Sequence, residues 1–161
     1  MEGRRRCQIF ADWLIPYQLQ RIVTSHEVKA HETGEILADR LRIPCQIAEG
    51  LHEHIRKPGS SFDQIAFKHS MKEFFENPER LVFGEETASQ ANQRFYQAVC
   101  FVMAEYSGQR IAIVSHGTVM SLFICWGNRL AAYPYWLNLG MPALAVLELP
   151  DFQLKETIGI D

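Results

Sequence analysis

Residues Arg110 to Trp126 read RIAIVSHGTVMSLFICW, and this stretch decides the fold class. Ile111-Ala112-Ile113-Val114 is an unbroken apolar run that ends at Ser115-His116-Gly117, and an apolar helical pattern starts at Thr118. The order is strand, His-Gly turn, helix. A run apolar at every position suits a strand covered on both faces, as in a parallel α/β sheet. Ligands of such sheets sit outside the carboxyl ends of the strands. His116 is therefore expected at the mouth of a site, beside the amides of a helix N-terminus. Unpaired amides and the helix dipole make that point attractive to anions. Gly117 lets the backbone come close to a ligand.

Working outward, Cys7, Phe10, Ala11 and Leu14 follow a helical spacing that Pro16 closes. Arg21 to Thr24 reads as a short strand, Glu27 to Leu41 as a helix in which Gly34 permits close packing, and Ile47 to Glu49 as another short strand. Ser61 with Gln64, Ser70 with Glu73 and Thr87 with Gln90 have capping-box spacing and predict three helix starts. The last is the most regular, since Ala91, Phe95, Val99, Val102, Met103 and Tyr106 form one apolar stripe ended by Gly108. AAYPYWLNLGMP reads as an aromatic-rich loop, and ALAVLEL and LKETIGI as two strands joined around Pro150-Asp151. Strands interleaved with helices predict a single three-layer α/β/α domain over residues 1–161.

The chain is 161 residues long, 47% hydrophobic and 22% charged, which suits one globular domain with a sizeable core. A net charge of -3 gives no reason to expect nucleic-acid binding, and Arg4-Arg5-Arg6 reads as a solvated helix face. No apolar stretch reaches bilayer-spanning length, and Asp12 and Pro16 interrupt any signal-peptide core. Cys7, Cys45, Cys100 and Cys125 show no metal-ligand spacing, and Cys7, Cys100 and Cys125, on or near apolar faces, read as small buried hydrophobes, which suits a reducing cytoplasm. His52 and His54 are close neighbours, but alternation on an extended segment explains them without a metal. No nucleotide loop occurs either, so no cofactor is expected.

Four segments then carry a resemblance over nearly the whole chain. They are SHGTVMSL, VTSHEVKAHETGEIL, GLHEHIR and GEETASQANQRF. In their order along the chain, with SHGTVMSL last, they resemble the histidine phosphatase superfamily, the phosphoglycerate mutase-like proteins. The resemblance implies phosphoryl transfer through a phosphohistidine, with a small phosphorylated metabolite or phosphate as ligand. A phosphoryl group carries spread negative charge, so cations and amides must surround it, and the leaving oxygen needs an acid.

Residue by residue, the resemblance implies His116 as the second, supporting histidine and Glu53 as the acid in the LHE segment. Lys29, Ser25, Gly117 and Thr118 become phosphate-binding candidates, and Thr33 stands in its family position. Lys29 departs from the pattern, because the family has arginine there; lysine supplies charge without the two-pronged guanidinium contact. His26 replaces a residue that is often proline in the family. Residues 57–83 are the expected cap over the site.

The larger departure is the Arg-His-Gly that carries the nucleophile in the family, which occurs nowhere in this chain. The opening residues MEGRRRCQIFADWL resemble the family's first helix, so the first central strand is expected to be missing. Three readings follow: a truncated phosphatase inactive as written, a pseudoenzyme that binds a phosphorylated ligand or protein, and a subunit whose missing strand comes from another segment or chain. Simpler readings stand beside these. His116 suits a backbone-satisfied core histidine, Lys29 and Glu53 suit ordinary surface positions, and Trp126, Tyr133, Tyr135 and Trp136 suit core or a homo-oligomer contact.

Overall fold

The computed structural model describes residues 2–56 and 63–159. They fall into two compact units, Met1–His52 with Gln97–His116, and Glu53–Tyr96 with Gly117–Asp161.

The first unit is a parallel sheet with helices. Helix α1 spans Glu2–Leu14, and Pro16 lies in the 3-10 turn Ile15–Tyr17 that ends it. Strand β1 (Arg21–Thr24), helix α2 (Val28–Leu41) and strand β2 (Cys45–Ile47) follow, and strand β3 (Ile111–Val114) completes the sheet in the order β2-β1-β3. Both pairings are parallel, with Val23 opposite Gln46 on one side and Ile113 on the other. The predicted strand at Ile47 to Glu49 thus begins two residues earlier, and the Ala48 amide prolongs the ladder by donating to the Thr24 carbonyl at 2.9 Å. Gly34 of α2 has the packing role its size suggested, since a Cβ there would lie 2.1 Å from the Thr24 methyl. Phe10, Leu14, Ile22, Val23, Ala30 and Leu37 form the core of this unit. The middle strand is almost wholly buried, whereas all four residues of β3 are half-buried; among the described residues, the outer edge of β3 pairs with no strand.

The second unit holds helix α3 (Gln64–Glu76), the first part of helix α4 (Ala88–Glu105), helix α5 (Gly117–Asn128) and the short helix α6 (Ala132–Leu137). Strands β4 (Ala143–Glu148) and β5 (Gln153–Gly159) form an antiparallel hairpin, as their sequence predicts. The Asn128 side chain secures it to the end of α5, donating to the Phe152 carbonyl and accepting from the Leu154 amide. Helix α5 buries Thr118, Val119 and every residue from Ser121 to Cys125, as its apolar run demands.

Two expectations are corrected. Ser70 starts no helix; it lies within α3, where no glycine or proline interrupts the chain between Gln64 and Glu76. Asp63 caps that helix by accepting from the Ala66 amide at 2.8 Å, while Ser61 lies outside the described residues. The aromatic segment after α5 is not all loop either, because Ala132–Leu137 is helical. Pro134 is tolerated there because the first turn leaves its amides unpaired anyway. The Thr87–Gln90 capping box forms in both directions, at 2.8 and 3.2 Å. No helix among the described residues is long and apolar enough to cross a membrane.

Candidate functional site

In the first unit, the candidate residues gather at the carboxyl ends of the parallel strands. Ser25 follows β1 directly and is fully buried, while Ser115 and His116 follow β3. The His116 Nε2 lies 3.0 Å from the Ser25 hydroxyl and 3.5 Å from a Glu27 carboxylate oxygen. Ser25 Oγ also accepts from the Glu27 amide at 3.2 Å, and the Ser115 hydroxyl donates to the Leu51 carbonyl at 2.6 Å. A serine, a histidine and a carboxylate in contact raise the question of a hydrolytic triad. That arrangement needs the hydroxyl and the carboxylate on opposite ring nitrogens. Here both face Nε2, so the cluster is a positioned imidazole rather than a triad.

Lys29 and His26 surround this cluster in sequence but do not join its hydrogen bonds. Lys29 lies in the first turn of α2, exposed, with no ion-pair partner among the described residues. A cation there opposes the helix dipole. The Thr33 hydroxyl is taken up by the Lys29 carbonyl at 2.8 Å. His26 is half exposed, 3.9 Å from Glu49 and with its ring 5.4 Å from that of His52.

In the second unit, Glu53 meets the N-terminus of α5. Its carboxylate accepts from the Thr118 and Val119 amides, each at 3.3 Å, and from the His54 amide at 2.9 Å. These are orphan donors of a first helical turn, satisfied by an anion. Arg56 stands beside them. Its guanidinium donates to the Thr118 hydroxyl at 3.4 Å, lies 4.0 Å from Glu53 and covers the Phe67 ring at 5.0 Å. As arranged, Glu53 is an acceptor on both oxygens; to protonate a leaving oxygen it must leave the amides.

The loop that carries Glu53 and Arg56 is strapped to the start of α4. Glu86 accepts from the Ile55 amide at 3.0 Å and from Arg94 at 2.7 and 3.2 Å, and Arg94 also reaches the Glu53 carbonyl. Burial alone would raise the Glu86 carboxyl, but the hydrogen bonds from Arg94 and Ile55 hold it below the ordinary glutamate value. His54 is buried against Phe74 and Phe83, and its Nε2–H donates to the Glu86 carbonyl at 3.1 Å. Its Nδ1 has no hydrogen-bond partner. Burial pushes the His54 imidazole down, so the ring stays neutral. Gly84 closes the strap: its φ is +85°, and a Cβ there would lie 2.3 Å from the Ile55 carbonyl oxygen.

Sequence reasoning missed Glu27, Arg56 and Arg94. Arg56 left a faint signal, an opposite charge three residues after Glu53, and Glu27 follows Ser25 by two; the reach of Arg94 back to Glu86 left none. The aromatics after Trp126 belong partly to a cavity of about 490 Å³ lined by Phe75, Leu122, Cys125, Trp126 and Tyr133. Among the described residues no group of three or more metal-ligating side chains is placed to hold an ion.

The chain matches the family model of the histidine phosphatase superfamily (branch 1) over residues 1–152. No curated protein matches it. Among solved structures it is similar to Bacillus stearothermophilus YhfR, with a TM-score of 0.75 and 20% identity over 96% of this chain and 81% of that one. It is also similar to the alpha-ribazole phosphatase from Shigella flexneri, with a TM-score of 0.71 and 18% identity over 100% of this chain and 86% of that one. A mycobacterial glucosyl-3-phosphoglycerate phosphatase, solved in complex with VO3, gives a TM-score of 0.66 and 17% identity over 85% and 72%. At these identities the likeness is one of fold.

Proposed function

The chain belongs to branch 1 of the histidine phosphatase superfamily, and from that premise we propose that it binds the phosphoryl group of a small phosphorylated metabolite. The observation that carries this reading is His116, seated at the carboxyl end of a parallel strand with Nε2 fixed by Ser25 and Glu27. Lys29, an exposed cation in the first turn of α2, supports it, because a phosphate dianion would relieve the repulsion between that charge and the helix dipole. In this reading Ser25 binds phosphate beside His116, Gly117 and Thr118 are phosphate contacts at the start of α5, and the cap is assigned to residues 57–83, of which 57–62 lie outside the described residues.

The same reading assigns phosphomonoester hydrolysis through a phosphohistidine to any form of the protein that carries the family's Arg-His-Gly. The 161 residues of this chain hold no such motif. His116, the supporting histidine of the resemblance, contacts Ser25 and Glu27 through Nε2. These residues alone therefore bind phosphate without turnover, with Glu53 available as leaving-group acid only when a nucleophile is present. The alternative is a pseudoenzyme in which binding is the whole function. Lys29 in place of arginine and Glu53 held as an acceptor favour it.

The test is a titration of the purified protein with phosphate or vanadate, followed by thermal unfolding. The melting temperature is expected to rise with ligand, and His116→Ala is expected to remove most of the rise. p-Nitrophenyl phosphate is expected to remain intact. No melting shift at millimolar ligand would overturn the binding reading, and hydrolysis abolished by His116→Ala would overturn the absence of turnover.

A further inference from the structure

The phosphate grip expected of this fold leaves a charge deficit in this chain. Lysine stands at position 29 where the resemblance calls for arginine, and no Arg-His-Gly occurs. A phosphoryl group is best held by a planar fork of donors, which lysine does not offer. Arg56 offers one at the N-terminus of α5. It reaches the Thr118 hydroxyl at 3.4 Å, and its plane is backed by Phe67 at 5.0 Å and Phe83 at 6.0 Å. About a third of the side chain is still open to solvent (35%). Its contact with Glu53, at 4.0 Å, is too long for a close two-pronged pair, so most of the fork's donors remain available.

The anion now in front of Arg56 is the protein's own. The Glu53 carboxylate takes the Thr118 and Val119 amides, the two donors that an incoming phosphate oxygen would need. A carboxylate with two oxygens on two helix-start amides and a guanidinium nearby has the donor set of a bound oxyanion.

We propose that Arg56 is the anion-gripping guanidinium of this chain, and that Glu53 holds its place on the α5 amides until a phosphoryl group displaces it. This rests on the proposed reading that the chain binds a phosphoryl group. Arg56 and Glu53, three residues apart on one loop, then act with opposite sign on ligand affinity. A merely structural pair would lose affinity together or not at all.

The experiment is isothermal titration of the purified chain with inorganic phosphate, for wild type, Arg56→Gln, Arg56→Lys and Glu53→Gln. The ligand-free melting temperature of each variant shows that it is folded. Arg56→Gln is expected to weaken phosphate binding roughly tenfold, the scale of a lost charge-assisted hydrogen bond. Arg56→Lys is expected to fall between, because it keeps the charge and loses the fork. Glu53→Gln is expected to tighten binding, since an amide side chain has one acceptor oxygen and no charge and leaves a helix-start donor open. Arg56→Gln binding as wild type does, or Glu53→Gln binding more weakly, would overturn this inference while leaving the phosphate reading intact. Wild type and Glu53→Gln both indifferent to phosphate would overturn the two together. A weak wild type with a responsive Glu53→Gln supports the place-holding role directly.

Discussion

The Ser25–Glu27–His116 cluster and the loop from Glu53 to Arg56 are held by different means. The first places His116 Nε2 3.0 Å from a buried hydroxyl and 3.5 Å from a carboxylate whose side chain is 36% exposed. The second is strapped by a part-buried ion pair, a buried histidine and bonds from backbone amides at the start of α4 and of Ile55. Removing a hydroxyl from a site of the first kind leaves little uncompensated. Removing one member of a part-buried pair leaves a charge without its partner. The comparison predicts a soft imidazole and a stiff acidic loop.

The most severe test is a pair of substitutions. Glu86→Ala is expected to cost about 2–3 kcal/mol, the scale of lost hydrogen bonds to a charged group, because the Ile55 amide and the half-buried Arg94 both lose its carboxylate. Ser25→Ala is expected to cost about 1 kcal/mol. Urea unfolding measures both, and equal losses would break the comparison.

Acid should act on the strap in two stages. The His54 imidazole is held below its ordinary value of 6.5, first by burial, so the unfolded chain takes up a proton there that the folded chain refuses. Stability is complete above that value and falls as the pH drops below it, until the folded imidazole itself protonates. Glu86, held below its ordinary value of 4.5, contributes stability above that value that is lost as the pH falls through its folded value. Melting temperature measured against pH should show the first decline in wild type and a flatter profile near pH 6 in His54→Gln. A profile unchanged by that substitution would move the strap's acid sensitivity elsewhere.

The smallest expected effect concerns reactivity rather than stability. Burial on α5 pushes the Cys125 thiol up to about 11. An alkylating reagent at neutral pH should therefore modify the half-buried Cys7 and Cys100 before Cys125, as read by peptide mass spectrometry. Early labelling of Cys125 would mean that the helix whose first amides donate to Glu53 opens readily, and would soften the contrast.

Much of the fold was legible because local rules govern it. The apolar run Ile111–Val114 became a parallel strand, the Thr87–Gln90 pair became a reciprocal cap, and Pro16 lies where α1 stops. Misreadings fell where local signals are degenerate. Serine followed by glutamate three residues later occurs inside helices as well as at their starts, so Ser70 could not be told from a cap without the chain around it. The aromatic segment near Pro134 has loop composition yet forms a helical turn, packed through Trp136 and Tyr133 against Phe75.

By itself the sequence determined that a strand delivers His116 to a helix start, that lysine stands at position 29, and that no Arg-His-Gly occurs among its residues. Those are properties of order and identity along the chain. Only the tertiary structure decided which groups face one another. It gave His116 two partners on one nitrogen, set Glu53 on the amides of α5 and brought Arg94 to Glu86. The reason is physical. Hydrogen bonds and ion pairs act over about 3 Å, and Ser25 and His116, 91 positions apart in sequence, come within that range only because the strands before them lie side by side in one parallel sheet.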